Sequence, residues 1–200
     1  MKGYTKPLLL IFLVLIADQA LKTWIKTNMQ IGQEFKILGN WFIIHFTENN
    51  GMAFGLEFGG EFGKLALSLF RVIAVAGIGY GLHYLIKRKY HRGLILNVAL
   101  IFAGAMGNII DSVFYGLIYD YAGLMHGQVV DMLYFPILKG HFPSWFPFWA
   151  NEPFEFFRPV FNLADAAISV GVFSILIFQK RYFKEEINDE IGINNETVED

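Results

Sequence analysis

The chain has 200 residues, of which 54% are hydrophobic and only 17% charged, with a formal net charge of -2 and no cysteine. The charge balance excludes a nucleic-acid partner. The missing cysteines exclude disulfides, thiolate metal sites and a cysteine nucleophile.

Four predicted membrane spans follow in chain order: residues 7–27, 64–86, 93–114 and 162–179. Each is close to the roughly 20 residues a helix needs to cross the hydrocarbon core. Residues 1–28 have the basic start and apolar core of a signal peptide. They offer no small-x-small cleavage site, and the apolar helical pattern resumes at Ala20, Leu21, Trp24 and Ile25, which predicts a retained first helix.

Between the first two spans, residues 39–46 (GNWFIIHF) read as a strand, and the NNG at 49–51 as turn chemistry. After the third span, residues 128–134 read as a short strand. Residues 136–161 are rich in aromatics and prolines, which predicts an interfacial loop or helix. Residues 185–200 form an acidic tail predicted to be disordered. The fold class is therefore a mainly α membrane protein, with four helices, a small outward-facing sheet, and one domain over residues 1–184.

Lys2 and Lys6, the KRKYHR at 87–92, and Lys180, Arg181 and Lys184 flank the spans. The excess of basic residues on the cytoplasmic side puts all three clusters, and both termini, inside. The connections at about 28–63 and 115–161 then face outward.

Against this background four aspartates stand out: Asp18, Asp111, Asp131 and Asp165. A carboxylate at the bilayer centre costs roughly 2.5–3.5 kcal/mol on insertion scales, so acids there are rare and usually functional. All four can gather on the outward side. With no thiol, no serine–histidine pattern and no metal-ligand spacing among the histidines, the economical chemistry is an aspartate pair. Two close carboxylates share a proton, so one serves as base on a water while the other donates. No metal or cofactor is needed, and the spacing leaves open which two aspartates pair.

The motifs ADQALK (17–22), NNGMAFG (49–55), GNIID (107–111), VVD (129–131) and FNLAD (161–165) occur in this order. In them the chain resembles the bacterial lipoprotein signal peptidases (signal peptidase II), four-helix membrane aspartyl proteases. The resemblance implies Asp131 and Asp165 as the catalytic dyad. It implies that Asp18 supports the site from below with Lys22, and that Asn49 and Gly51 shape a loop beside the substrate. Asn108 and Asn162 would hold substrate backbone or orient the dyad, and Asp111 reads as a supporting residue that caps or salt-bridges locally.

The implied substrate is a prolipoprotein carrying diacylglycerol on its cysteine, cut just before that cysteine. The enzyme would sit in the cytoplasmic (inner) membrane with its site toward the periplasmic or outer face. It would work as a monomer among membrane lipids, without a cofactor, and be open to cyclic-peptide inhibitors of the globomycin type.

The chain departs from the family pattern twice. Ser112 stands where relatives carry arginine after the third-span aspartate, and residues 132–161 are longer than expected. Arg71, inside the second span, is a candidate replacement cation, the other reading being a side chain that snorkels to the interface. Rival readings of the whole chain are an ion or proton transporter and a non-catalytic membrane subunit. Taken singly, Asp18 with Lys22 reads as a buried helix pair, and Asp165 as a first-turn acid favoured by the helix dipole.

Overall fold

The computed structural model describes residues 3–50, 60–136, 138–156 and 159–183. Gly51 and the tail beyond 183 lie outside them. Among the described residues four long helices form: α1 (Thr5–Asn28), α2 (Gly60–Lys87), α3 (Arg92–Ile110) and, after a short α4 (Gly116–Ile118), α5 (Leu163–Tyr182). A π-helical turn, Asp111–Tyr115, joins α3 to α4, so the third crossing runs on to Ile118. All four crossings are long and apolar enough to span a membrane.

Leucines and alanines, which have no branch at Cβ, suit helix, and the one proline in α1, Pro7, lies in its first turn, where its missing N–H costs nothing. Leu8, Leu9, Phe12 and Leu13 of α1 and Phe173, Leu176 and Ile177 of α5 point away from the protein. That face suits lipid, which offers such side chains a solvent as apolar as a core.

The third crossing is the central one: 50% of its most apolar stretch is buried, against 17–22% in the others. Small residues let its neighbours close in. A Cβ on Gly104 would lie 2.2 Å from the Ala164 carbonyl oxygen, and one on Gly107 would lie 2.6 Å from an Asp18 carboxylate oxygen. Away from the acids, Ile11, Leu82, Ile86, Ile95, Ala99 and Ala103 form a dry core between α1, α2 and α3. There Tyr4 meets His83 at 3.1 Å and Asn97 donates to the Tyr182 hydroxyl at 3.0 Å, which ties both described chain ends to the basic end of the bundle.

The opposite end carries an antiparallel sheet in the order β1 (Glu34–Leu38), β2 (Phe42–Asn49), β3 (Val129–Tyr134), β6 (Val160–Phe161). The strand expected at 39–46 begins at Phe42 instead. Gly39, at φ +56°, makes the turn from β1, a strand the sequence pattern did not reveal. Thr47 pairs with Asp131 and Asn49 with Val129, so Asp131, Thr47 and Asn49 share one face. A bulge between Ile44 and Thr47 bends β2 beside Asp131. Ile25, Met29, Phe46, Tyr115, Val130 and Met132 pack together and seat the sheet on the end of α1.

Residues 136–161, expected as a loop or helix, instead hold a hairpin of β4 (Leu138–His141) and β5 (Pro153–Phe156). Phe161 pairs antiparallel with Leu133, so the chain between them leaves the sheet and returns to it, and β4 and β5 pair within that excursion.

Candidate active site

The site is assembled where α5 begins. Asn162 caps that helix: its Oδ1 accepts from the Asp165 N–H at 2.9 Å, while Asp165 Oδ2 accepts from the Asn162 N–H at 3.3 Å. This reciprocal cap satisfies two amides at a helix start that water cannot easily reach. The same Asn162 donates from Nδ2 to Asp131 Oδ1 at 2.7 Å and to Asn108 Oδ1 at 3.1 Å. Asn108 in turn donates to Asp165 Oδ1 at 2.7 Å. Asp131 and Asp165, 34 positions apart in the chain, are thus held by one buried asparagine pair.

Asp131 is 3% exposed. Burial pushes its carboxyl up to about 7, and the neighbouring Asp165 adds to that rise. Hydrogen bonds from Asn162 and Asn49, and the charge of Lys22, oppose it. Asn49 reaches Asp131 Oδ2 from the same sheet face at 3.4 Å.

Beneath this pair lies a second charged layer. Lys22 is wholly buried and directs its three donors to Asp18 Oδ2 (3.0 Å), Asp111 Oδ2 (2.8 Å) and Asn108 Oδ1 (3.0 Å). Asp18 Oδ1 accepts the Ala164 N–H at 2.9 Å, a bond to the first turn of α5. Asp111 Oδ2 accepts the Val130 N–H at 3.3 Å, a bond to β3. The two carboxylates therefore fix the two elements that carry Asp165 and Asp131. The π turn that starts at Asp111 is the sort of helix irregularity often found at functional sites.

Arg71 points inward, not to the interface. Its guanidinium donates to Ser112 Oγ at 2.7 Å, and Ser112 donates to the Asn108 carbonyl at 2.9 Å. Asp165, Asp111 and Asp131 lie within electrostatic reach of it. The position where Ser112 supplies no charge is thus approached by a cation from a neighbouring helix.

The structure brings together Asp18, Lys22, Asn49, Arg71, Asn108, Asp111, Asp131, Asn162 and Asp165. Gly51 lies outside the described residues. Sequence reasoning missed Gln19. Its amide donates to Asp18 at 3.1 Å, to the Gly107 carbonyl at 3.2 Å and to Asp111 at 2.9 Å, and its oxygen accepts from Tyr115 at 3.2 Å. The available signal was a polar residue beside Asp18 in an apolar span. Sequence spacing pairs Lys22 with Asp18 alone, because only that pair is local in the chain.

The arrangement is one of coupled carboxylates, one held near neutrality, set in a dry frame of amides. It can move a proton between two oxygens and a water, which is acid–base chemistry. A family model for "Signal peptidase (SPase) II" matches residues 10–180. A lipoprotein signal peptidase of Porphyromonas gingivalis is 44% identical over 207 residues, covering 96% of this chain and 90% of that protein. One from Amoebophilus asiaticus is 41% identical over 178 residues, covering 84% and 75%. A solved structure described as "Bacterial membrane enzyme structure by the in meso method at 2.3 A resolution" superposes with a TM-score of 0.60 at 25% identity, over 97% of this chain and 94% of that one.

Proposed function

The chain belongs to the signal peptidase II family, and from that membership we propose that it removes signal peptides from prolipoproteins by aspartic hydrolysis, with Asp131 and Asp165 as the dyad. The observation that carries this reading is the Asn162–Asn108 frame, which holds both carboxylates while burial keeps a proton on Asp131 near neutral pH.

Asp131 then carries the shared proton and Asp165 is the base. Asp165 takes a proton from water as the water oxygen attacks the carbonyl carbon before the lipidated cysteine. Asp131 gives its proton to the carbonyl oxygen, and a tetrahedral diol forms. On collapse the diol returns a proton to Asp131, the C–N bond breaks, and Asp165 protonates the departing nitrogen. The products are the signal-peptide carboxyl group and the free amino group of the cysteine. No cofactor enters the balance.

Around the dyad, Asn49 and Arg71 take the substrate backbone and balance the site's negative charge. Asn108 and Asn162 orient the carboxylates, and Asp18, Lys22 and Asp111 lock α5 and β3 in place. Gly51 belongs with Asn49 by motif alone. The substrate carries diacylglycerol and reaches the site from the outer leaflet of the cytoplasmic membrane, because the basic residues 87–92, 180 and 181 gather at the other end of the bundle. A monomer suffices, since one chain supplies every group. Globomycin-type cyclic peptides fit as inhibitors of such a site.

A transport path has less support: Lys22 ion-pairs the deepest acid, Asp18, and among the described residues no charged side chain lies in the core cluster below it. The test is cleavage of a diacylglyceryl precursor by Asp131→Asn and Asp165→Asn proteins, each shown by a cooperative melt to be folded. Each substitution is expected to abolish turnover, and near-normal turnover in either one overturns the assignment.

A further inference from the structure

The β4–β5 hairpin is a two-stranded sheet of its own, between β3 and β6 in the chain. Tyr134 faces Val160, and four residues further along each strand Leu138 faces Phe156. Beyond β4, the Phe142 N–H donates to the Glu152 carbonyl at 2.9 Å and the Asn151 N–H to the Phe142 carbonyl at 3.0 Å.

The tip, residues 142–151, reads FPSWFPFWAN and has no charged residue. Phe142, Phe146 and Trp149 cluster, with centroids 4.9–6.1 Å apart. Outside that cluster, Trp145 is 77% and Phe148 92% exposed. Phe148 sits at φ +75° and Asn151 at +63°. A bulky ring in the left-handed region is strained, and the ring displayed there touches almost nothing in this chain. Strain that serves to present an apolar side chain outward calls for an occupant beyond the fold.

We propose that this tip inserts into the outer-leaflet interface of the bilayer, as a second membrane contact separate from the four spans. Tryptophan is a residue of the membrane–water belt, and ten residues with two tryptophans, three phenylalanines and no charge suit the apolar side of an interfacial segment. The lipid-facing surface already reaches this end of the bundle, where Trp24 and Phe62 are exposed on α1 and α2. The hairpin and the spans belong to one chain, so insertion of its tip is effectively intramolecular. The inference rests on the membrane placement and not on the cleavage chemistry.

The test uses the full chain in nanodiscs, with phenylalanine at three of its four tryptophans so that Trp145, Trp149 or Trp24 remains alone. Trp24, in a span, is the reference. Brominated phosphatidylcholine should quench Trp145 at least half as strongly as Trp24, and acrylamide should quench it weakly. Strong acrylamide quenching with no effect of bromine places the tip in water and overturns the proposal. Protection from both quenchers means protein covers it, a second copy or another part of this chain, and overturns it equally. Precursor cleavage by the same samples in detergent shows separately whether the enzymatic reading stands.

Discussion

Asp131 couples folding to pH through a shift whose sign can be worked out. An aspartate in an unfolded chain titrates near 3.9, whereas this one is pushed up to about 7 in the folded protein, chiefly by burial. The folded state binds the proton more tightly. The group's contribution to stability is therefore complete below about pH 4 and is lost as pH rises through about 7. Asp131→Asn has no charge to bury, so its melting temperature relative to the parent should climb between about pH 4 and pH 7. The gain over that interval is roughly 4 kcal/mol and levels off above about pH 7. A pH-independent difference in thermal melts would contradict this. Activity should fall as pH rises through about 7 and the donated proton is lost, and a cleavage-rate profile in detergent checks that. Arg71 offers the second test at this scale. Arg71→Leu should cut turnover by roughly 10–100-fold, the 1.4–2.7 kcal/mol of one lost charged contact, with little change in melting. Adding Ser112→Arg should restore part of it. Full activity in Arg71→Leu would show that the guanidinium serves packing alone.

At the level of elements, the dyad depends on how α3 meets α5 and on what holds the start of α5. Gly104 has no room for a side chain, since a Cβ there would lie 2.2 Å from the Ala164 carbonyl oxygen. Gly104→Leu should push α5 outward and destabilise the protein by roughly 1–3 kcal/mol or more, as overpacking does. It should also lower kcat, because Ala164 is next to Asp165. The measurement is a melt paired with steady-state kinetics. Lys22 is the matching electrostatic case. Lys22→Met strands Asp18 and Asp111, which are both buried, and breaking a buried ion pair costs roughly 3–5 kcal/mol. Adding Asp18→Asn and Asp111→Asn to it should recover much of the stability but not the activity. If the single substitution is neutral, the layer below the dyad is not an ion-pair frame.

For the whole molecule, the proposed site stands at the sheet-bearing end of four membrane-length helices. Cleavage should require the diacylglyceryl group, since a substrate tethered in the leaflet arrives at the right depth with its search confined to two dimensions. Lipidated and unlipidated forms of one precursor, compared at equal concentration, decide this. Equal rates would describe a general membrane peptidase. EDTA should leave the rate unchanged, and a zinc-reversible loss would mean that the hydrolytic water is activated by metal rather than by carboxylate.

The spans were legible in the sequence because apolar length is a property of contiguous residues: residues 7–27, 64–86, 93–114 and 162–179 became Thr5–Asn28, Gly60–Lys87, Arg92–Ile118 and Leu163–Tyr182 with shifts of a few residues. The strand ending in Tyr134 was legible for the same reason, and the four aspartates stood out by their cost in lipid. What only the tertiary structure decided is non-local. Gln19 gained its role from Gly107, Asp111 and Tyr115, which lie more than 85 positions away. Lys22 found Asp111 and Asn108 across a helix interface, and Arg71 found Ser112 across another. The aromatic stretch holds a hairpin through pairings such as Leu138 with Phe156, which lie 18 positions apart and which no local pattern of rings and prolines encodes. Composition and spacing set which residues can enter a membrane and at what depth. Hydrogen-bond geometry between elements, which operates over a few ångströms and any chain separation, set which of them meet.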